Sequence, residues 1–314
     1  MILIREAEPH DTGALRELFK ICFGKEVSEE EWLWKYRRSP LGSSSFVAVF
    51  NGKVIAHYGG FRLRFYSEGR VLSAMQGCDV MTHPDFRARI FSKRGIIIRT
   101  AEAFFKANQT EFIYGFPSER HGRLKALQLG FERHRHICLL RKRVKKPLIN
   151  LMIVSNKGWN HISSYDIDRI WYKTRDNLSL SIEKLSSYIF WRYRDRPNND
   201  YEVISFRWIW KKELAGYAIV KQKGEILHVL ELFSTSKAYK TIASSLEEYA
   251  FKKGCHEINL WLNPSERLYK VFIDMGYGLG QAIPLIVKVF EGSSISGDYF
   301  YNNYSYRMGD YDAS

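Results

Sequence analysis

Hydrophobic and polar residues alternate along this chain with periods that change in a definite order. Ile2–Ala7 reads as a short strand. Asp11 stands where it can cap a helix whose Ala14, Leu15, Leu18, Phe19 and Cys22 form one apolar stripe. Ser28 and Glu31 have capping-box spacing ahead of a second helix carrying Trp32, Trp34 and Tyr36. Two apolar runs, FVAVF and KVIAHYGG, flank Asn51-Gly52, the strongest short signal for a hairpin. A long strand continues through LRFY. Another covers MQGCDVMT and stops at His83-Pro84. Ile90–Lys106 reads as a helix, EFIYGF as a strand, and Ser118–Leu129 as a helix closed by Gly130 in a left-handed cap. The predicted order is β-α-α-β-β-β-α-β-α-β, an α/β unit of the α+β type with a mixed sheet.

The pattern then repeats. Trp34-Lys-Tyr-Arg-Arg-Ser-Pro40 recurs as Trp191-Arg-Tyr-Arg-Asp-Arg-Pro197, at an offset of 157. Ala56-x-Tyr58 recurs as Ala215-x-Tyr217, at 159, and Pro117-Ser-Glu-Arg120 as Pro264-Ser-Glu-Arg267, at 147. Three matches in one order at nearly constant offset indicate a duplicated unit. The expected organisation is a first domain over 1–145, a linker over 146–160, a second domain over 161–290 and a polar, tyrosine-rich tail over 291–314. The shorter last offset places a deletion of about a dozen residues after Tyr217, where the first copy carries its richest loop.

Composition narrows the class. The chain has 314 residues, 45% of them hydrophobic, enough for a core in each half. No apolar run is long enough to span a membrane, and the charged N-terminus does not read as a signal peptide. Four single cysteines, Cys22, Cys78, Cys138 and Cys255, give neither metal-ligand spacing nor a disulfide framework, so no metal is expected and a cytoplasmic location is. Forty-eight Lys and Arg against 34 Asp and Glu leave a net charge of +14, which favours anionic partners. Residues 133–146, RHRHICLLRKRVKK, hold seven of these cations and read as a solvated strand edge running into the linker.

The clearest chemistry lies in Val80-Met-Thr-His-Pro-Asp-Phe-Arg-Ala-Arg-Ile-Phe-Ser-Lys93. A strand ends, a basic loop follows and a helix begins, which presents unpaired N–H groups and a positive dipole to an anion. Thr82-His-Pro-Asp-Phe-Arg87 resembles the acyl-CoA loop of the GNAT superfamily, V-x-P-x-x-R-G-x-G-x-G/A. The order of elements and the Leu129-Gly-Phe131 ending agree. The fold-length repeat resembles tandem GNAT proteins of bacteria, as do Gly115-Phe-Pro-Ser118 and Gly309-Asp-Tyr-Asp312. The resemblance implies two tandem GNAT folds and an N-acyltransferase. The acyl donor would be acetyl-CoA or another acyl-CoA. The acceptor would be an amine on a small molecule or cell-envelope precursor, anionic by the chain's own charge. It assigns cofactor contacts to Val80, Met81, Thr82, Arg87, Ala88, Arg89, Ile90, Phe91, Ser92, Lys93 and Ser118. Where the pattern has R-G-x-G, this chain has Arg87-Ala-Arg-Ile90, which leaves open a shorter loop, a weaker affinity or a lost activity. The family tyrosine that serves as general acid falls on Ala126 here and on Phe272 in the second copy.

Candidate acid–base groups are Asp79, just before the loop, and His121, after the fifth strand. The simpler readings are a structural hydrogen bond for Asp79, a first-turn helix acid for Glu119, packing for both WxYRxxP motifs, and solvent exposure for Asp310 and Asp312. His57 and Tyr58 alternate on one strand, so only one can face a cleft. The second copy, with FSTSKAYKT at the loop, reads as degenerate and as a wall for the acceptor. Two other functions compete. One is an aminoacyl-tRNA-dependent transferase resembling the Fem enzymes, which would bring in nucleic acid. The other is a non-catalytic binding protein on the same scaffold.

Overall fold

A computed structural model describes residues 1–89, 95–119, 122, 128–145, 152–211 and 213–311. The first half begins with β1 (Ile2–Glu6), α1 (Thr12–Phe23) and α2 (Glu29–Arg37). Asp11 sits at the N-cap of α1, but its carboxylate is turned away to Arg5, at 2.6 and 2.9 Å, and to the Glu8 N–H. Ser28 does cap α2, accepting from Glu31 N at 3.1 Å. The hairpin forms as the Asn-Gly pair requires: β2 (Ser43–Phe50) and β3 (Lys53–Ser67) join through Asn51 and Gly52 at φ +48° and +75°. Next come β4 (Arg70–Thr82), a 3-10 turn over Pro84–Arg89, α3 (Ile96–Ala107), β5 (Phe112–Gly115) and β6 (Arg135–Arg143).

The second half repeats this series. It runs β7 (Met152–Ser155), α4 (Ser164–Thr174), the short β8 (Ser181–Ile182), and α5 (Ser186–Ile189), which continues as a π-helical turn to Arg194. Then follow β9 (Glu202–Trp208), β10 (Leu214–Lys223), β11 (Ile226–Ser234), α6 (Tyr239–Lys252), β12 (Glu257–Trp261), α7 (Arg267–Asp274) and β13 (Gly278–Val289). The tail adds α8 (Gly297–Asn303) and a 3-10 turn at Met308–Asp310. β7 falls within the stretch expected to be linker. It pairs antiparallel with β9 as the first strand of the second half, a short apolar run at the sheet edge with Met152 turned into the core and Ile153 turned out. No helix among the described residues is long and apolar enough to cross a membrane.

One sheet of thirteen strands carries both halves, in the order β1-β2-β3-β4-β5-β13-β6-β12-β11-β10-β9-β7, with β8 paired to β3. The order is palindromic about the β13–β6 pair, and the directions match. β4 with β5 and β11 with β12 are parallel, while β13 with β5 and β6 with β12 are antiparallel. Each half has therefore given its last strand to the other. This overturns the edge reading of residues 133–146: β6 lies in the middle of the sheet, between β13 and β12. Its cations are matched locally, Arg143 standing opposite Glu257 and Lys142 Nζ bonding Glu247 at 2.8 Å.

The repeated tryptophans meet at the centre of this arrangement. Trp34 Nε1 donates to the Trp191 carbonyl at 2.7 Å, and Trp191 Nε1 donates to the Trp34 carbonyl at 3.1 Å. Their rings stack with centroids 5.1 Å apart. Reciprocal bonds between equivalent residues are what a two-fold relation produces. Around them the inner faces of both halves share one core, which includes Phe61, Phe65, Tyr114, Trp171, Tyr217 and Phe300. The outer faces are covered separately, by α3 on the first half and by α6 and α7 on the second.

Candidate functional site

β4 and β5 run parallel for three residue pairs, the last being Gln76 with Tyr114. β4 then continues to Thr82 without its neighbour, and β5 ends at Gly115. The strands part at two glycines. A Cβ on Gly115 would come 3.0 Å from the Gly77 carbonyl oxygen, so close backbone approach at the fork depends on glycine. A fork between parallel strands exposes backbone donors and acceptors to whatever enters it.

Just beyond the fork, β4 bulges. His57 pairs with Met81 but Gly59 pairs with Cys78, so Asp79 and Val80 together oppose Tyr58. Asp79 takes a left-handed φ of +47°, which aspartate tolerates better than most residues. Its carboxylate accepts from Tyr36 Oη at 2.8 Å and from Lys35 Nζ at 3.0 Å, both on α2. Its carbonyl accepts from His57 Nδ1 at 2.6 Å, which fixes the tautomer, and His57 Nε2 then accepts from the Ser45 hydroxyl at 2.6 Å. Burial pushes the His57 imidazole below its ordinary value, so the ring is neutral. Burial, reinforced by Asp79, raises the Tyr36 hydroxyl well above its usual range. His57 and Tyr58 are both buried. His57 lies between Trp32 and Tyr36, and Tyr58 packs on Phe104 and Phe105 of α3. Neither faces an open cleft.

From the bulge the chain enters the basic loop. Val80 is half-buried, Met81 and Thr82 are buried, and Arg87 is exposed with Nε donating to the Thr82 carbonyl at 2.9 Å. Ala88 and Arg89 close the 3-10 turn. Ile90, Phe91, Ser92 and Lys93 lie outside the described residues, as do His121, Ala126 and Asp312. The described part of α3 begins at Ile96, with Gly95 as N-cap and no side-chain cap bond. The Gly95 carbonyl already accepts from Ile98 N and Arg99 N at 3.1 Å. The helix start next to the loop is therefore at Gly95, a residue the sequence reading passed over. Its signal was visible as a glycine between the cations Lys93-Arg94 and the apolar run from Ile96. After β5, the Ser118 carbonyl accepts from Gly122 N at 2.8 Å, one turn of helix at the mouth of the fork.

The tail reaches the same region, which corrects the exposed reading of Asp310. Asp310 is buried: its carbonyl accepts from Gln76 Nε2 at 2.9 Å, at the root of the fork. Its carboxylate bonds Tyr304 Oη at 2.9 Å, Arg307 N at 2.8 Å and the buried Lys184 ammonium, which also bonds Glu231 at 2.5 Å. Tyr193 Oη completes the set on Glu231 at 2.6 Å. Burial raises the Glu231 carboxyl above its ordinary value, against the pull of Lys184. Tyr311 then packs on Phe116, which follows β5, and on Trp261 of β12. The first half, the second half and the tail thus each give one ring to a single aromatic wall.

The second half forks in the same way, its parallel ladder ending at Val229 with Leu260. There the tail is in place. Asn263 Nδ2 bonds the Tyr301 and Tyr304 carbonyls at 3.0 Å. Arg307 grips Glu266 through both terminal nitrogens at 2.8 and 2.7 Å. Gly309 lies so close to Leu230 that an added Cβ would sit 3.0 Å from its carbonyl oxygen.

Comparison with known proteins fits this geometry. A family model described as an acetyltransferase (GNAT) domain matches residues 3–124. No curated protein matches the chain. Solved structures of similar fold include a protein of unknown function from Enterococcus faecalis described as a probable N-acyltransferase. It is 10% identical over 93% of this chain and 73% of its own, with a TM-score of 0.73. A GCN5-related N-acetyltransferase from Anabaena variabilis is 11% identical over 92% and 73%, with a TM-score of 0.69. A tandem GNAT protein from the clavulanic acid biosynthesis pathway is 9% identical over 94% and 100%, with a TM-score of 0.59. At such identities the likeness is one of fold. Residues 3–124 thus match the model of a GNAT acetyltransferase domain, in a chain whose fold is similar to that of a tandem GNAT protein.

Proposed function

We propose that the first half binds acyl-CoA and transfers its acyl group, acetyl by the description of the domain, to an amine. The observation that carries this is the fork between β4 and β5, set beside a basic loop and a helix start without a side-chain cap. The cofactor's diphosphate would lie against the loop from Val80 to Lys93 and the α3 N-terminus. Its pantetheine arm would run into the fork past Ser118. In the second half the tail packs into the corresponding fork, against Leu230 of β11 and the segment after β12. Its part is to help build the aromatic wall of Phe116, Trp261 and Tyr311, against which the acceptor would sit.

Attack of the amine on the thioester needs a proton acceptor and a donor to the developing oxyanion. Asp79 holds the bulge through Lys35 and Tyr36, so its contribution is to fix the backbone facing the thioester. The proton then goes to His121 or to water. The +14 balance favours an anionic acceptor, such as a phosphorylated amino sugar or another cell-envelope precursor. Calorimetric titration with acetyl-CoA tests the reading. Arg87→Ala should weaken binding by about 1.5–3 kcal/mol, the usual worth of a hydrogen bond to a charged group. Unchanged affinity in that variant counts against the loop. Absence of binding by the parent chain counts against the cofactor, and favours a tRNA-dependent or non-catalytic role.

A further inference from the structure

The fold assembles one group of side chains that the cysteine pattern gave no reason to expect. Glu119 follows β5, while His134 stands just before β6 and His136 is the second residue of that strand. The carboxylate oxygens of Glu119 lie 3.1 Å from His134 Nε2 and 2.5 Å from His136 Nε2. All three ligand atoms fall within 4.8 Å of one another, and among the described residues this is the one cluster of its kind. The two histidines are two residues apart on an extended segment, so both rings leave the sheet on the same face. Their centroids are 5.6 Å apart.

We propose that Glu119, His134 and His136 bind a divalent transition-metal cation of the zinc class. Two imidazoles and one carboxylate are the donor set such a cation prefers, and bonds of about 2.1 Å place tetrahedral ligand atoms about 3.4 Å apart. The contacts to Glu119 need to open by less than an ångström to reach that spacing. Three protein ligands leave a position for water, and the cluster is open enough to admit one, with Glu119 49% and His136 32% exposed. β13 lies between β5 and β6 in the sheet. The ion would therefore tie the segment after β5 to the strand its own half has given away, acting as a clip across the exchange. It would also sit beside the mouth of the fork, next to Ser118.

The test uses the full, untagged chain after removal of metal by a chelator. Zinc chloride is titrated calorimetrically, and thermal unfolding is recorded with and without it. The proposal expects one equivalent bound in the micromolar range or tighter, with a rise in Tm. His134→Ala, His136→Ala and Glu119→Gln should each weaken binding by more than about tenfold. Each should also abolish the zinc-dependent rise while leaving the metal-free Tm near that of the parent, since all three side chains reach solvent. No binding by the parent, or parent affinity in any one of the three variants, overturns the proposal.

Discussion

Gly95→Asp separates the helix-start reading from a purely structural one, because the two give opposite signs. Gly95 is the N-cap of α3, with an extended backbone that a non-glycine residue can adopt and, being glycine, no side chain of its own to cap the first N–H groups. Aspartate there accepts from those groups and meets the positive end of the helix, worth a few tenths to about 1 kcal/mol of added stability. A diphosphate bound at the same N–H groups would meet a carboxylate about 4 Å away. At an effective dielectric near that of a protein surface this repulsion is about 4 kcal/mol. With screening roughly half survives, so CoA binding should fall by about 2 kcal/mol or more, some thirtyfold. Gly95→Asn caps without charge and should lose much less. The assay pairs calorimetric titration of CoA with thermal unfolding of the same preparations. Equal losses in both variants would show that bulk matters rather than charge. Full affinity in the aspartate variant would remove α3 from the cofactor site.

Lys184→Met strands two buried carboxylates, Glu231 and Asp310, and should cost about 3–5 kcal/mol in urea unfolding, with much of it recovered in the triple variant that also carries Glu231→Leu and Asp310→Asn. His57 is neutral in the folded chain with its pKa held below the ordinary 6.5, so the unfolded chain takes up the proton first. Stability should be full above that pH and fall as the pH drops below it, and His57→Gln should flatten this part of the profile measured by chemical denaturation. Trp34→Phe and Trp191→Phe each leave a buried carbonyl without its indole donor, at about 1–3 kcal/mol apiece, and a double-mutant cycle should show them coupled rather than additive.

Much of the first half was legible because its signals are local. Asn51-Gly52 dictates its own turn, Ser28 its cap, and Gly130 its left-handed conformation at φ +67°. The repeat was legible because Trp34 and Trp191 keep the same neighbours. Strand exchange was not, since β6 and β13 have the same alternation whether they return to their own half or cross to the other. The charge of β6 read as an edge because its partners, Glu247 and Glu257, lie over a hundred residues away. The tail read as solvated because it has few aliphatics, yet Phe300, Tyr301, Tyr304 and Tyr306 bury their rings, and the hydroxyls of Tyr304 and Tyr306 find partners inside. The strand ending at Thr82 and the turn that follows it lie where the sequence pattern puts them. The start of α3 was missed because Ile90 and Phe91 extend its apolar period backwards past Gly95.

The exchange makes a further claim, that neither half is a free-standing unit. A fragment of residues 1–145 lacks β13, and its β6 is free to fold back against β5. Matched by the repeat, that return would set Leu139 and Leu140 beside Tyr114 and Ile113, but Arg141 beside Phe112, where Val289 now pairs. It would also leave Lys142 and Arg143 without Glu247 and Glu257. More seriously, the whole inner face of the fragment, with Trp34, Phe61, Phe65, Phe112 and Tyr114, would meet water instead of the second half and the tail. An apolar face of that kind drives association. The fragment alone should aggregate or remain unfolded by circular dichroism and size exclusion. Co-expressed with residues 152–314, it should form a soluble one-to-one complex that regains the native spectrum. A monomeric, cooperatively folding 1–145 fragment would show that the shared core and the exchanged strands are a convenience of the duplicated chain and not a condition of its fold.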